Sequence, residues 1–187
     1  MGDIYEKYYW QNHKVRLRAM RPEDDDPQRC FIEDLDSQAW AMCHEEMVLP
    51  AVKKEVQTSD SKALMNEKAP AFSIENLDGD YVGHIHFNYI NERHGTFSIG
   101  LIIWREHRGK GYGKAAMEIL LDYAFKQRRL NKFNGYCLDE NTASANMMLS
   151  LGCRQEGTVK EEVFMDGRYH DRLLFGLTAG EYGRRMK

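Results

Sequence analysis

The residues best suited to chemistry in this chain lie in one basic segment, residues 108–114, with the sequence RGKGYGK. Its three glycines stand at alternate positions, so the backbone can approach a ligand without obstruction by Cβ atoms. A strand rich in β-branched and aromatic residues is predicted before it, at 97–104, and an amphipathic helix after it, up to residue 125. The first amide groups of such a helix point outward at its positive end. The segment therefore predicts a phosphate-binding turn.

Two widespread phosphate loops do not fit this spacing. A Walker loop would need glycine in place of Arg108 and serine or threonine in place of Ala115. A dinucleotide-binding fingerprint that begins at either of the first two glycines lacks its third glycine. A different class of phosphate loop is therefore expected.

Two histidines offer a second kind of chemistry. His84 and His86 alternate with apolar residues on a predicted strand at 81–90, so both lie on one face of it. Histidine has an unperturbed pKa of about 6.5, which makes His86 a candidate proton acceptor beside a cleft. A zinc site needs at least one further ligand, and the surrounding sequence offers no recognised set. We therefore predict a polar cleft lining and no bound metal.

Hydrophobic periodicity indicates the elements that position these groups. The alternation VRLRA at 15–19 predicts a half-exposed strand, and a broken helical pattern at 27–66 predicts two or three short helices. Strand-like runs at 71–76 and 81–90 flank an Asp-Gly pair, which predicts a β-hairpin. The second run carries the histidines and turns into the strand that precedes the basic segment.

A second strand–turn–helix unit follows in the sequence. Residues 132–138 predict a strand, and Thr142 or Ser144 caps or enters a short helix that ends at Leu151, with Gly152 as its stop. A right-handed crossover places this strand parallel and adjacent to the strand before the basic segment. The two strands can separate at their ends to form a cleft.

The composition indicates a soluble globular protein of one domain. The chain has 187 residues, of which 42% are hydrophobic and 29% charged. A net charge of −3 argues against a nucleic-acid partner. No apolar run approaches the roughly 20 residues of a membrane span, and the N-terminus lacks the apolar core of a secretory signal. A cytoplasmic protein without membrane contact is expected.

The four cysteines form no CxxC pair and are predicted to be reduced thiols; they are Cys30, Cys43, Cys137 and Cys153. Cys137 ends a strand beside the predicted cleft. A nucleophilic role would need an activating base and a lowered pKa, for which the sequence gives no sign. A buried structural thiol is the preferred interpretation.

Three motifs in order resemble one known family. Arg108-x-x-Gly111-x-Gly113 after a strand is similar to the pyrophosphate loop of the GCN5-related N-acetyltransferases (GNAT). Asn141-x-x-Ser144, followed by LGCRQEG at 151–157, resembles a second segment of that family. The stretch EEVFMDGRYHD is similar to the closing hairpin of the branch that includes ribosomal-protein and spermidine acetyltransferases. Matching elements run from Val15 to Leu177.

The resemblance implies an α+β fold in a single domain over residues 1–187, with an N-terminal arm at 1–14. It implies a central mixed, mostly antiparallel sheet of about seven strands, with one splayed parallel pair and helices on both faces. The cleft would hold acetyl-CoA as co-substrate of an N-acetyltransferase. The residues it assigns to acetyl-CoA are Leu101, Ile102 and Ile103 for the pantetheine arm, Arg108, Gly109, Lys110, Gly111, Tyr112, Gly113 and Lys114 for the pyrophosphate, and Asn141 beside the pantetheine.

The resemblance implies that a neutral amine attacks the thioester directly. An N–H group of the splayed strand would stabilise the oxyanion that forms. Many members have a tyrosine that protonates the leaving thiolate, but this chain has Met148 there. Ser144 is the nearest motif hydroxyl. The alternatives are that Ser144 only caps the helix or that the thiolate, with a pKa of about 8.5, leaves unassisted.

The acceptor implied is a primary amine, which is a peptide N-terminus, a polyamine or another small amine. The aromatic arm and the branch also imply a homodimer. Two other functions remain open at this point. One is a CoA-binding or sensor module that has lost catalysis together with the tyrosine, and the other is a phosphate-binding α/β protein that does not use CoA.

Overall fold

A computed structural model of the chain describes residues 8–21, 24, 70–165 and 167–185. Seven strands form one sheet in the order β1-β2-β3-β4-β5-β7-β6. All neighbouring strands are antiparallel except β4 and β5, which are parallel. The strands are β1 Val15–Arg18, β2 Ala71–Asn76, β3 Tyr81–Asn91, β4 Thr96–Ile103, β5 Lys132–Leu138, β6 Arg154–Met165 and β7 Arg168–Thr178. The mixed sheet with one parallel pair confirms the fold expected from the sequence.

Three α-helices accompany the sheet in the described part of the chain. They are α1 Tyr112–Asp122, α2 Thr142–Ser150 and α3 Ala179–Arg185. A 3₁₀ turn, Arg105–His107, precedes α1, and a π-type turn, Tyr123–Gln127, continues it. The apolar stripe of α1 is buried, as its periodicity predicts, so hydrophobic burial holds this helix on the sheet.

The sheet has one face that packs on these helices. Ile85 and Phe87 of β3 belong to the same buried cluster as Leu120 of α1, Met148 of α2 and Tyr182 of α3. Side chains alternate along a strand, so the half-buried His84 and His86 lie on the opposite face. The helices predicted at 27–66 lie outside the described residues.

A buried polar network ties the start of the sheet together. Arg18 donates two hydrogen bonds to the Asp24 carboxylate, at 2.6 and 2.9 Å, and a third to Glu75 at 2.7 Å. Burial opposes ionisation of Asp24, but hydrogen bonds from Arg18, Ser73 and the backbone of Arg21 outweigh it and lower the pKa of the carboxyl to about 2. β1 is thereby held to β2 by charge-assisted bonds as well as by the strand ladder.

The described part of the N-terminal arm packs on the domain. The Trp10 ring lies 4.8 Å from the Phe72 ring and 4.9 Å from the Tyr123 ring, measured between centroids. The backbone turns back on itself here, because Leu17 N donates to Trp10 O and Asn12 N donates to Val15 O. The arm and β1 therefore form a short hairpin, which we call the arm hairpin, residues 10–17.

Most strand and helix bounds agree with the sequence to within one or two residues, and the largest differences lie at the C-terminal end. Helix α3 is not among the predicted elements, although Thr178 and Glu181 form the reciprocal bonds of a capping box. β6 begins at Arg154, before the hairpin stretch EEVFMDGRYHD that starts at Glu161. The residues between them are mostly exposed and polar, so they show no alternation. No helix among the described residues is long and apolar enough to cross a membrane.

Candidate active site

The centre of the site is a gap between the two parallel strands. β4 and β5 pair only at Thr96 with Lys132 and at Phe97 with Phe133. Beyond these residues β4 continues to pair with β3, and β5 continues to pair with β7. The two strands therefore separate towards their C-terminal ends. The splayed parallel strand pair expected from the sequence is confirmed.

The phosphate-binding turn lies at the end of β4. Gly109 and Gly111 adopt φ angles of 74° and 82°, a conformation that residues with a side chain rarely adopt. Gly111 is the N-cap of α1, and no side chain caps the first turn of the helix. The first-turn amide groups of α1 therefore remain open to a ligand.

Gly113 serves a different purpose from the other two glycines. A Cβ atom built on it would lie 3.1 Å from Leu101 Cδ2 and 3.5 Å from both Ile103 Cγ1 and Met147 Sδ. The missing side chain lets α1 lie close against the apolar side chains of β4. The helix end is thereby placed directly over the strand that lines the cleft.

The turn is strongly cationic. Arg108, Gly109, Lys110 and Gly111 are exposed, and Lys114 is half-buried. The Nε atom of Arg108 donates to Ile103 O at 2.9 Å, which holds the guanidinium beside the end of β4. The first turn of α1 contains no acidic residue. An anionic ligand would therefore be attracted to this end of the cleft.

A lysine that the sequence analysis did not single out also reaches this turn. Lys14 Nζ donates to Lys110 O at 2.8 Å, although the two residues are 96 positions apart. Local periodicity gives no signal for such a contact. Only the packing of the arm hairpin on α1 reveals it.

The histidine face borders the same cleft. His86 pairs with Gly100 of β4, and a Cβ atom built on Gly100 would lie 2.6 Å from both Cε1 and Nε2 of the His86 ring. Glycine at this position lets the ring lie against the backbone of the splayed part of β4. His84 stacks on His86 at 5.9 Å between centroids. Among the described residues, no group of three or more His, Cys, Asp or Glu side chains could hold a metal ion.

The second turn, between β5 and α2, is closed by its own side chain. Asn141 is the N-cap of α2, and its Oδ1 atom accepts a hydrogen bond from Ser144 N at 3.1 Å. The helix begins at Thr142, one of the two residues predicted to cap or enter it, but its cap is Asn141 and neither Thr142 nor Ser144. Asn141 is the better cap because its amide oxygen reaches the amide three residues ahead. Its assignment to the pantetheine arm stays a prediction.

Ser144 and Cys137 face each other at this turn. Burial raises the pKa of the Cys137 thiol above its ordinary value, although a hydrogen bond with the Ser144 side chain opposes this shift. The thiol is 5% exposed and stays protonated near neutral pH, so it is no nucleophile. Met148 is 3% exposed and its side chain packs against Gly135 of β5, so it carries no group that could transfer a proton.

Acidic residues in this second turn pair with the hairpin formed by β6 and β7. Glu140 accepts a hydrogen bond from Arg168. The buried His170 ring donates from Nε2 to Met165 O at 3.2 Å, and its Nδ1 atom lies 3.5 Å from Asp139 Oδ1. The two β–α turns that flank the cleft thus carry opposite charges.

The residues present fit the phosphate groups of acetyl-CoA. Nothing lies within 4 Å of a Cβ position on Gly109, and the amide groups that follow Gly111 have no side-chain cap. The cations of the turn complement a diphosphate, and β4 and β5 are no longer paired beyond Phe97 and Phe133. Arg108, Gly109, Lys110, Gly111, Tyr112, Gly113 and Lys114 all lie at this end of the cleft, whereas Leu101, Ile102 and Ile103 lie along its β4 wall.

Known proteins share this sequence and architecture. Residues 14–154 match the family model of the acetyltransferase (GNAT) domain. The chain is 25% identical over 174 residues to the SPbeta prophage-derived uncharacterized N-acetyltransferase YokL of Bacillus subtilis, an alignment that covers 93% of this chain and 95% of the relative. It is 27% identical over 172 residues to the spermidine N(1)-acetyltransferase of Escherichia coli, with 91% and 89% covered.

A solved structure with the same fold is that of spermidine N-acetyltransferase from Vibrio cholerae in complex with CoA and spermine. The TM-score is 0.78 at 24% sequence identity, and the match covers 91% of this chain and 99% of that one.

Proposed function

Because this chain belongs to the acetyltransferase (GNAT) family and is an N-acetyltransferase that acts on an amine, we propose that it transfers the acetyl group of acetyl-CoA to a primary amine of a polyamine. The observation that carries the proposal is the cleft itself. Two parallel strands pair only at their first residues, and an uncapped, cationic helix end lies at the open side. The polyamine class is supported by the relatives named for spermidine.

Different residues of the chain hold the co-substrate and stabilise the oxyanion. Acetyl-CoA supplies an acetyl group already activated as a thioester. The turn that contains Arg108 and Gly111 holds the phosphate groups, so the thioester end is directed along β4 into the gap. An N–H group of the splayed part of β4 then donates to the developing oxyanion.

His86 is our candidate for the proton acceptor. An amine is protonated near neutral pH and must lose a proton before it can attack. The proposal is supported by the position of the His86 ring, which lies against Gly100 in the separated part of β4. Ser144 is our candidate donor of a proton to the departing thiolate, since its hydroxyl lies at the β5 side of the gap next to Cys137.

A thiol-release assay with purified protein tests the proposal. Acetyl-CoA is offered with spermidine, spermine, free amino acids, an aminoglycoside and a peptide with a free N-terminus. We expect the highest kcat/KM with a polyamine. Preference for a peptide N-terminus would contradict the polyamine proposal, and CoA binding without turnover on any amine would favour a sensor module instead.

The role of His86 is tested in the same assay. His86→Gln should lower kcat by roughly 10²-fold or more while the affinity for CoA stays the same. His94 is an exposed histidine in the turn before β4, so His94→Gln is the matched control and should keep the wild-type rate. Equal rates in the His86 variant and the control would remove His86 from the mechanism.

A further inference from the structure

The ammonium group of Lys14 lies at the N-terminal end of α1. Its Nζ atom donates to Lys110 O at 2.8 Å, and a Cβ atom built on Gly111 would lie only 3.0 Å from it. Lys14, which directly precedes β1, therefore lies beside the phosphate-binding turn.

The arm hairpin holds Lys14 in this place by contacts of its own. Asn12 Oδ1 accepts hydrogen bonds from the backbone N–H groups of Lys14 and Val15, at 3.0 and 3.1 Å. The Nδ2 atom of the same side chain donates to Ala115 O in α1 at 2.9 Å. The backbone at Lys14 is therefore oriented towards α1 by protein contacts alone.

The charge of Lys14 has no opposite partner in the described part of the chain. Its ammonium has three N–H donors, and the Lys110 carbonyl takes one of them. No carboxylate among the described residues forms an ion pair with it. It stands beside the cationic turn and at the positive end of a helix, where a further positive charge is unfavourable unless an anion binds. In a chain with net charge −3, such a concentration of cations indicates an anion site.

We propose that Lys14 binds a phosphate group of acetyl-CoA and so completes the phosphate site from outside the glycine-rich turn. The inference rests on the proposed use of acetyl-CoA. The residues that orient it, Trp10 and Asn12, precede the family match, which begins at residue 14.

Calorimetric titration of the full chain with CoA tests the inference without any need for activity. Lys14→Met removes the charge and keeps the length of the side chain, and we expect the Kd for CoA to rise about tenfold. Lys126→Met is the matched control, because it removes the same charge from the π-type turn that follows α1. It should leave the Kd within about twofold of the wild-type value. Lys14→Arg should restore most of the affinity.

Two further measurements separate ligand binding from a purely structural role. Dephospho-CoA lacks the 3′-phosphate. If the loss in Lys14→Met disappears with this compound, Lys14 contacts the 3′-phosphate, and if the loss persists, it contacts the pyrophosphate. Both results support the proposal. A lower Tm with unchanged CoA affinity, or failure of Lys14→Arg to restore a lost affinity, would overturn it.

The outcomes also distinguish this inference from the proposed function. If the wild-type chain does not bind CoA at all, the proposed function fails together with it. If the wild-type chain binds CoA and Lys14→Met binds equally well, the inference about Lys14 alone fails.

Discussion

The two strand–turn–helix units beside the cleft have the same topology and opposite chemistry. The β4–α1 unit begins its helix with a glycine at a φ of 82°, offers no side-chain cap and gathers cations. In the β5–α2 unit, the helix is capped by Asn141, whose side chain accepts from Ser144 N. Two acidic residues, Asp139 and Glu140, stand directly before this cap. The amide groups at the start of α1 are open to a ligand, whereas at the start of α2 the Ser144 amide is bonded to the Asn141 side chain.

The difference shows that the N-terminal end of a helix can either stay open for a ligand or be capped by the protein itself. The first amide groups of a helix need an acceptor, which is a ligand, water or a side chain. A capped amide cannot also serve an anion. The open end of α1 is therefore where we propose that the phosphate groups bind, and the cap of α2 holds the Ser144 backbone at the other side of the gap.

The largest expected effect comes from placing an anion in the open turn. Gly111→Asp should weaken CoA binding by about 100-fold or more, because its carboxylate would pair with Lys14 and repel the phosphates. Gly111→Asn is the control: it has nearly the same shape, tolerates positive φ and carries no charge. Calorimetry should show a much smaller loss for Asn. Equal losses would mean that backbone geometry, and not charge, matters at this turn.

A smaller effect is expected at the closed turn. Ser144→Ala should lower kcat about tenfold through loss of a proton donor to the thiolate, which is already a tolerable leaving group. The affinity for CoA should not change, because the hydroxyl is not part of the phosphate site. Steady-state kinetics with the best amine gives kcat, and a wild-type kcat across the neutral pH range would mean that the thiolate leaves unassisted.

Removal of the cap of α2 should lower the stability of the fold. Asn141→Ala should lower the free energy of unfolding by about 1 kcal/mol and the Tm by roughly 2–4 °C. Asn141→Asp keeps an accepting oxygen and should keep the wild-type Tm. Thermal denaturation and CoA titration are measured on both variants. A large loss of CoA affinity in Asn141→Asp would break the contrast between the turns and support the predicted contact with the pantetheine arm.

The smallest expected effect is that of salt, which should act on the open turn alone. Raising ionic strength from about 0.1 M to about 1 M shortens the Debye length from about 10 Å to about 3 Å. The KM for acetyl-CoA should rise several-fold, whereas the KM for an acetylated pantetheine without phosphates should stay constant. A salt effect of the same size on both donors would show that it does not arise at the cationic turn.

The sequence predicted much of this architecture because its main signals are local. The alternation at β3, the apolar stripe of α1 and the Asp-Gly turn are each contained in a short window, and the structure confirms them. The cap of α2 was assigned to the wrong residue because Asn141, Thr142 and Ser144 are all plausible caps in sequence. Only the distance from Asn141 Oδ1 to Ser144 N decides between them. The capping box at Thr178 and Glu181 was a readable signal that was overlooked.

The sequence by itself determined that a glycine-rich cationic turn joins a strand to a helix, and that a second such unit follows it. These properties depend on residue type and on spacing within a few positions. Only the tertiary structure brought Lys14 to Lys110 across 96 positions and laid the His86 ring against Gly100. Such contacts depend on how the hairpins and strands pack on one another, which no local periodicity encodes.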